Sequence, residues 1–293
     1  MDNAVADYLE TKDEVWLLID NLDKSWPTRG SSRQDILILR TLLDASRKLQ
    51  RQLARRDVEF QCLVFLRNDI YDHLILETPD KGKDTAIVLD YDDPELFKNI
   101  AMERIKLSTG LEGSFEDIWA AVFDTHIGTE DSFQYILDRT LMRPRDLLNF
   151  LHRTIEIAIN RGHDRVHQDD IIKGEAIYSE DILLSIVFEL REVFPNVPNP
   201  LYVFLRCASH MSKDEVVILL RKAGYVEQNL DSTLKLLVWF GFLGVQVDSN
   251  EKPHYAYQFR HNIEKVLAPV QQGGGYFVLH PAFRTALECV VIG

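Results

Sequence analysis

The sequence predicts an α/β unit followed by an all-helical bundle and a mixed module of helices and a β hairpin, predominantly helical in sum. Three observations carry that expectation. Strand-like apolar runs alternate with an amphipathic helix over the first ninety or so residues, apolar positions recur three or four apart through 94–161, and the last third passes from helices into two short strand-like runs. With 293 residues, 46% hydrophobic and 27% charged, the chain can bury the cores of two or three domains, which excludes disordered, collagenous and disulfide-scaffold classes. Its formal charge of −13 opposes sequence-independent attraction to phosphate backbones or anionic membranes.

Val15-Trp16-Leu17-Leu18-Ile19, closed by Asp20, reads as a strand covered on both faces, the pattern of a parallel sheet. A helix over 32–56 follows, with Ile36, Leu39, Leu42, Leu43, Leu49 and Leu53 on one stripe. A second buried strand at 59–66 ends in Arg67-Asn68-Asp69, and a third, shorter strand is expected at 86–90. Helices are expected at 94–108, 115–125, 130–140 and 143–161, the last opened by Pro144 at its first turn and closed by Gly162.

After it come helices at 181–193 and 199–209, separated by the proline-rich stretch 195–200. Ser212 and Glu215 form a capping box that starts a helix over 213–222, and another helix spans 229–240. Two runs, 242–247 and 254–259, flank Asp248-Ser249-Asn250-Glu251-Lys252 as a hairpin, so the order is that of a winged helix. A glycine-rich loop at 271–275 precedes the apolar Tyr276-Phe277-Val278-Leu279 and a final turn.

Cys62, Cys207 and Cys289 are far apart and odd in number, which suggests neither a disulfide framework nor a zinc site and fits a reducing cytoplasm. No signal core and no membrane-spanning apolar run is present. His163 and His167, four apart beside Gly162, read as surface residues rather than metal ligands. Trp119, Phe123, Trp239 and Phe240 read as core, and Arg47, Lys48, Arg51, Arg55 and Arg56 as a solvated basic helix face. Residues 181–293 hold ten basic and eleven acidic side chains, net −1, with Lys235 the one basic residue on the second of the two central helices. Protein contact is therefore favoured there over DNA, with Arg221, Lys222 and Arg260 as the local phosphate candidates.

VWLLIDNLD at 15–23 has the form of a Walker B motif, in which a carboxylate at the end of an apolar strand can hold the hydrated magnesium of a nucleotide. Together with VFLRNDIYDHL at 64–74, DYDDPELFKNIAMERIKL at 90–107 and RPRDLLNFLHRTIEIAINRG at 143–162, it resembles bacterial P-loop ATPases of the STAND and KAP-like type, related to the AAA+ group. The resemblance implies a partial P-loop core over 1–92, a helical lid over 93–178 and a winged-helix domain over 179–293. It implies ATP and Mg²⁺ as cofactors, with Asp20 on the metal through water, Asp23 as the second acidic position, and Arg67, Asn68 and Asp69 in the sensor region. Arg143 and Arg145 would then bring charge from the lid toward the phosphates. Asn21 departs from the acidic residue many relatives carry there, and an amide cannot take a proton.

A larger departure is the phosphate-cradling G-x-x-x-x-G-K-[ST] loop, which this sequence lacks; Gly82-Lys83-Asp84 comes nearest. The expectation is thus of the C-terminal portion of an ATP-dependent regulatory switch, truncated or naturally split and inactive by itself. Its partners would be the missing ATPase portion or another subunit, a protein bound through the winged helix, and DNA as a further candidate. Residues 1–92 would be unstable alone or pair with another polypeptide. The alternative is a non-enzymatic winged-helix adaptor or DNA-binding protein on a degenerate ATPase scaffold.

Overall fold

The computed structural model describes residues 3–22, 26, 32–77, 86–89, 91–197, 199–248 and 250–290, which divide into two units, 1–88 and 89–293. In the first unit, α1 (Asn3–Leu9) leads into β1 (Glu14–Ile19), α2 (Arg33–Ala54) crosses over, and β2 (Glu59–Val64) returns parallel to β1 before α3 (Asn68–Glu77). The register runs from Glu14 opposite Glu59 to Ile19 opposite Val64, and the Phe65 amide donates to the Ile19 carbonyl at 2.9 Å. A reciprocal cap fixes the start of α2, with the Ser32 hydroxyl accepting from the Asp35 amide and the Asp35 carboxylate accepting from the Ser32 amide.

Side chains alternate across a strand, so the two faces of this small sheet have different fates. On one face Val15, Phe60 and Cys62 pack with Leu49 and Leu53 of α2, while Ile36 and Leu39 at the other end of α2 bury Ile70 and Leu74 of α3. The opposite face carries Trp16, Leu18, Leu63 and Phe65, exposed by 53%, 60%, 43% and 45%. Among the described residues of this unit the expectation of strands covered on both faces is therefore corrected: a continuous apolar run is compatible with a covering layer but does not supply one. The expected third strand is corrected as well. Residues 86–89 form no strand, and Ile87 is 86% exposed, while Asp90 lies outside the described residues.

The second unit opens with α4 (Pro94–Thr109), α5 (Phe115–Val122), a two-residue ribbon of β3 (His126–Ile127) and β4 (Glu130–Asp131), and α6 (Ser132–Leu137). Then come α7 (Pro144–Arg161) and α8 (Gln168–Val193), which pack together along their lengths. Asp93 caps α4, Pro144 occupies the first turn of α7, and Gly162 ends α7 in the left-handed region at φ 73°. Trp119 stacks on Phe123 with ring centroids 4.1 Å apart, and its indole N–H donates to the buried Ser132 hydroxyl, so both aromatic rings are core. α8 is a single helix that runs through residue 178, where a boundary between lid and last domain was expected, and one continuous core joins Phe97 to Leu287.

The remainder comprises β5 (His210–Met211), α9 (Lys213–Lys222), α10 (Leu230–Trp239), β6 (Leu243–Gln246), α11 (Ile263–Gln271), β7 (Tyr276–Leu279) and α12 (Pro281–Arg284). The expected helix at 199–209 is reduced to a 3-10 turn at Tyr202–Phe204. β7 lies between β5 and β6, antiparallel to both. The expected hairpin is corrected accordingly. Leu243–Gln246 pairs with Tyr276–Leu279, and 254–259 contributes a single bridge, His254 to Val245, followed by a 3-10 turn at Ala256–Phe259. Gly244 explains the close approach on this side: a Cβ there would lie 2.6 Å from the Tyr255 ring. Among the described residues no helix is long and apolar enough to cross a membrane.

Candidate functional site

The crossover through α2 brings the carboxyl ends of β1 and β2 together, the edge at which open α/β sheets bind ligands. Asp20 follows β1 directly and is exposed. Its carboxylate accepts from the Asn21 amide at 2.7 Å and from the Asn21 side chain at 3.4 Å, with Asn21 held at φ 59°. Asparagine tolerates that left-handed backbone better than most residues, which accounts for an amide at this position. Asn68, at the start of α3, is likewise exposed at the end of β2.

Arg67 is differently placed. Its guanidinium grips the buried Asp69 with two bonds, 3.0 Å from Nε and 2.7 Å from Nη2, and its Nη1 donates to the Trp26 carbonyl at 2.9 Å. This bidentate fork gives Arg67 a structural partner at the sheet edge. Asp23 and Gly82-Lys83-Asp84 lie outside the described residues. Of the sequence expectations, Asp20, Arg67 and Asn68 thus follow the adjoining carboxyl ends of β1 and β2. Arg143 and Arg145 belong to the second unit, exposed at the first turn of α7. Burial raises the Asp146 carboxyl next to them, against the opposing pull of both arginines.

One exposed carboxylate suits a magnesium ion held through water, provided that phosphate oxygens complete the shell. Among the described residues no three His, Cys, Asp or Glu side chains gather to hold a metal by themselves. Asp20 thus offers one carboxylate toward a metal ion whose other ligands come from elsewhere.

Two polar networks escaped the sequence reading. At the turn between α7 and α8, the buried Asp170 accepts from Arg161 at 2.7 Å and from the His167 amide at 3.0 Å, and pairs with His163 Nδ1 at 2.7 Å. Asp124 likewise accepts from Arg165 at 2.6 Å and from the Gln168 amide at 3.0 Å, with His167 Nδ1 3.3 Å away. Burial alone would raise both carboxyls, but these hydrogen bonds hold them below the usual aspartate value. The two histidines are thus buttresses of a helix start, a role the aspartate at the third position of α8 could have signalled. The second network joins Glu175 of α8 to the Tyr135 hydroxyl, to Arg139 at 3.2 Å and to Thr285 Oγ1 at 2.7 Å. These partners come from two stretches of sequence, 135–139 and 285, both far from Glu175, and no local pattern announces them.

Comparison with known proteins places these features in context. Residues 95–187, from α4 through most of α8, match the family model described as the FunZ-associated C-terminal helical domain. The chain is also similar to the "Putative transposon gamma-delta 80.3 kDa protein" of Escherichia coli (strain K12), 24% identical over 202 residues. That alignment covers 67% of this chain and 28% of the relative, so the match spans little more than a quarter of the longer protein. No solved structure matches the chain.

Proposed function

We propose that this chain carries the Walker B and sensor strands, the helical lid and a winged-helix module of a STAND or KAP-like ATP-dependent switch. The glycine-rich phosphate loop would be supplied by polypeptide outside this sequence. The observation that carries the reading is the parallel β1-α2-β2 unit, which sets Asp20 and Asn68 at one sheet edge, with Trp16, Leu18, Leu63 and Phe65 exposed on one face. Mg-ATP supplies the metal and the electrophilic phosphorus when bound. Asp20 would orient a metal-bound water, Asn68 would hydrogen-bond near the terminal phosphate, and Arg143 and Arg145 would contribute positive charge from the lid. Asn21 accepts no proton, so a general-base role would fall to Asp23.

In the last third, the order β5-β7-β6 around α9 and α10 supports the winged-helix reading, and its charges favour a protein partner. Lys235 on α10 is held by Asp231 at 3.3 Å and Glu264 at 3.1 Å, and Arg221 is gripped by Glu227 at 3.0–3.1 Å. Cations already paired in this way offer little to a phosphate backbone. The test is retention of labelled ATP by the chain, alone and with the polypeptide encoded immediately upstream. Magnesium-dependent retention that Asp20→Ala weakens at least tenfold is expected in the second case. Retention unaffected by that substitution, or absent in both cases, overturns the proposal.

A further inference from the structure

Cys207 and Cys289 stand 82 positions apart in sequence, yet their sulfur atoms approach to 3.7 Å. Backbone pairing builds this approach. The Arg206 amide donates to the Leu287 carbonyl at 2.8 Å, the Ser209 amide donates to the Val290 carbonyl at 3.0 Å, and the Val290 amide donates to the Cys207 carbonyl at 3.0 Å. The two segments thus run side by side through a parallel bridge from Ala208 to Val290, fastened outside by an Arg206–Glu288 ion pair of 2.7 Å. Both thiols are half-buried, within reach of a small oxidant. The third cysteine, Cys62, lies on β2 in the other unit.

We propose that Cys207 and Cys289 form a redox modification site that closes to a disulfide on reaction with a hydroperoxide. In the first step the Cys207 thiolate attacks the peroxide, the O–O bond breaks, and Cys207 becomes a sulfenic acid as hydroxide leaves. In the second, the Cys289 sulfur attacks the Cys207 sulfur, the S–O bond breaks, and water departs with the thiol proton. Two thiols and one hydrogen peroxide thereby yield one disulfide and two waters, with the two electrons passing to the peroxide oxygens. Geometry gives Cys207 the first role: the Cys289 thiol can also donate to the Phe204 carbonyl, 3.9 Å away, which keeps its proton in place and leaves the Cys207 sulfur to accept. The hydrogen bond with Cys289 lowers the Cys207 thiol below its usual value, while the same bond, together with burial, pushes Cys289 up.

Bond formation requires the sulfurs to close by roughly 1.7 Å, a movement that side-chain rotation can supply. The cross-link would pin 287–290 to 206–209, immediately before β5. It would also secure the preceding stretch, where the Ser179 hydroxyl of α8 accepts from the Ala286 amide at 3.0 Å and donates to the Ala282 carbonyl at 2.6 Å.

The experiment treats the reduced full chain with one equivalent of hydrogen peroxide, alkylates the remaining thiols and maps the peptides by mass. A Cys207–Cys289 cross-link that dithiothreitol reverses is expected, with Cys62 still alkylated and the melting temperature of the oxidised chain several degrees higher. Cys289→Ser should instead accumulate a Cys207 sulfenic acid that dimedone captures. The proposal is overturned if Cys207 and Cys289 in the folded wild-type chain are still separately alkylated once the peroxide is consumed. It is also overturned if the same link forms no faster folded than in urea.

Discussion

Replacing Gly174 with alanine sets two effects against each other, and their sizes decide the sign. In the interior of α8 alanine is favoured over glycine by about 1 kcal/mol, because glycine loses more backbone freedom on folding. The new Cβ, however, would stand 2.7 Å from Thr154 Cγ2 and 2.9 Å from both the Cα and the amide nitrogen of Thr154. A side-chain methyl can rotate away; main chain in the middle of α7 cannot. Relieving the contact means parting α7 and α8 where Thr154 is fully buried, an overpacking cost of roughly 1–3 kcal/mol, and more where the backbone resists. Because the contact is with main chain, the upper half of that range applies, and the expected net effect is a loss of about 1–2 kcal/mol, or roughly 2–8 °C in the melting temperature of a unit of this size. Calorimetry of the full chain, following the transition of the unit that contains α7 and α8, measures it. An unchanged or raised melting temperature in Gly174→Ala would refute the close approach of these helices.

His280 gives a pH signature. It is fully buried, with Nδ1 accepting from the Ala282 amide and Nε2 3.2 Å from the Tyr257 hydroxyl, and burial assisted by Arg284, Arg139 and Arg143 lowers its pKa to about 3. Below about pH 6.5 the unfolded chain takes up a proton that the folded chain refuses, so stability falls by about 1.4 kcal/mol per pH unit, roughly 2 kcal/mol by pH 5. His280→Asn retains a capping acceptor and should flatten the urea-unfolding midpoint between pH 6.5 and 4.5; an undiminished slope counts against the assignment. Asp170→Asn should cost about 2 kcal/mol at pH 7, since Arg161 and His163 lose their charged partner but can rehydrate. Because the folded pKa of Asp170 is depressed, its stabilisation is present above about pH 4 and fades below it, so wild type and variant should converge in acid denaturation. Leu18→Lys, on the bare sheet face, should leave the melting temperature within about 1 °C while reducing binding of an apolar dye; unfolding of the first unit would show that this face is packed.

Where the chemistry is local, sequence reading recovered the structure closely. The Ser212–Glu215 cap starts α9 at the expected residue, Pro144 and Gly162 bound α7, and two apolar runs separated by a long helix became a parallel pair. It fell short where partners lie far off in the chain. Nothing within 242–259 reveals that Leu243–Gln246 takes its strand partner from 276–279, or that 206–209 leaves helical geometry to pair with 287–290. α8 was only half visible because Gln168-Asp169-Asp170 and Gly174 weaken the apolar stripe of its first turns, and packing against Thr154 supplies what propensity does not. At the candidate site, Asp20 was legible as an acid closing an apolar strand. The capture of Arg67 by Asp69 was not, since an Arg-x-Asp spacing is compatible with many geometries.

The unbroken run of α8 has a mechanical corollary. Twenty-six residues of continuous helix extend about 39 Å without a swivel, joining the region matched by the family model to the segment that precedes the three-stranded sheet. A flexible tether would dissipate any tilt imposed at one end. A stiff rod delivers it to the other, so the geometry here is that of a crankshaft rather than a leash.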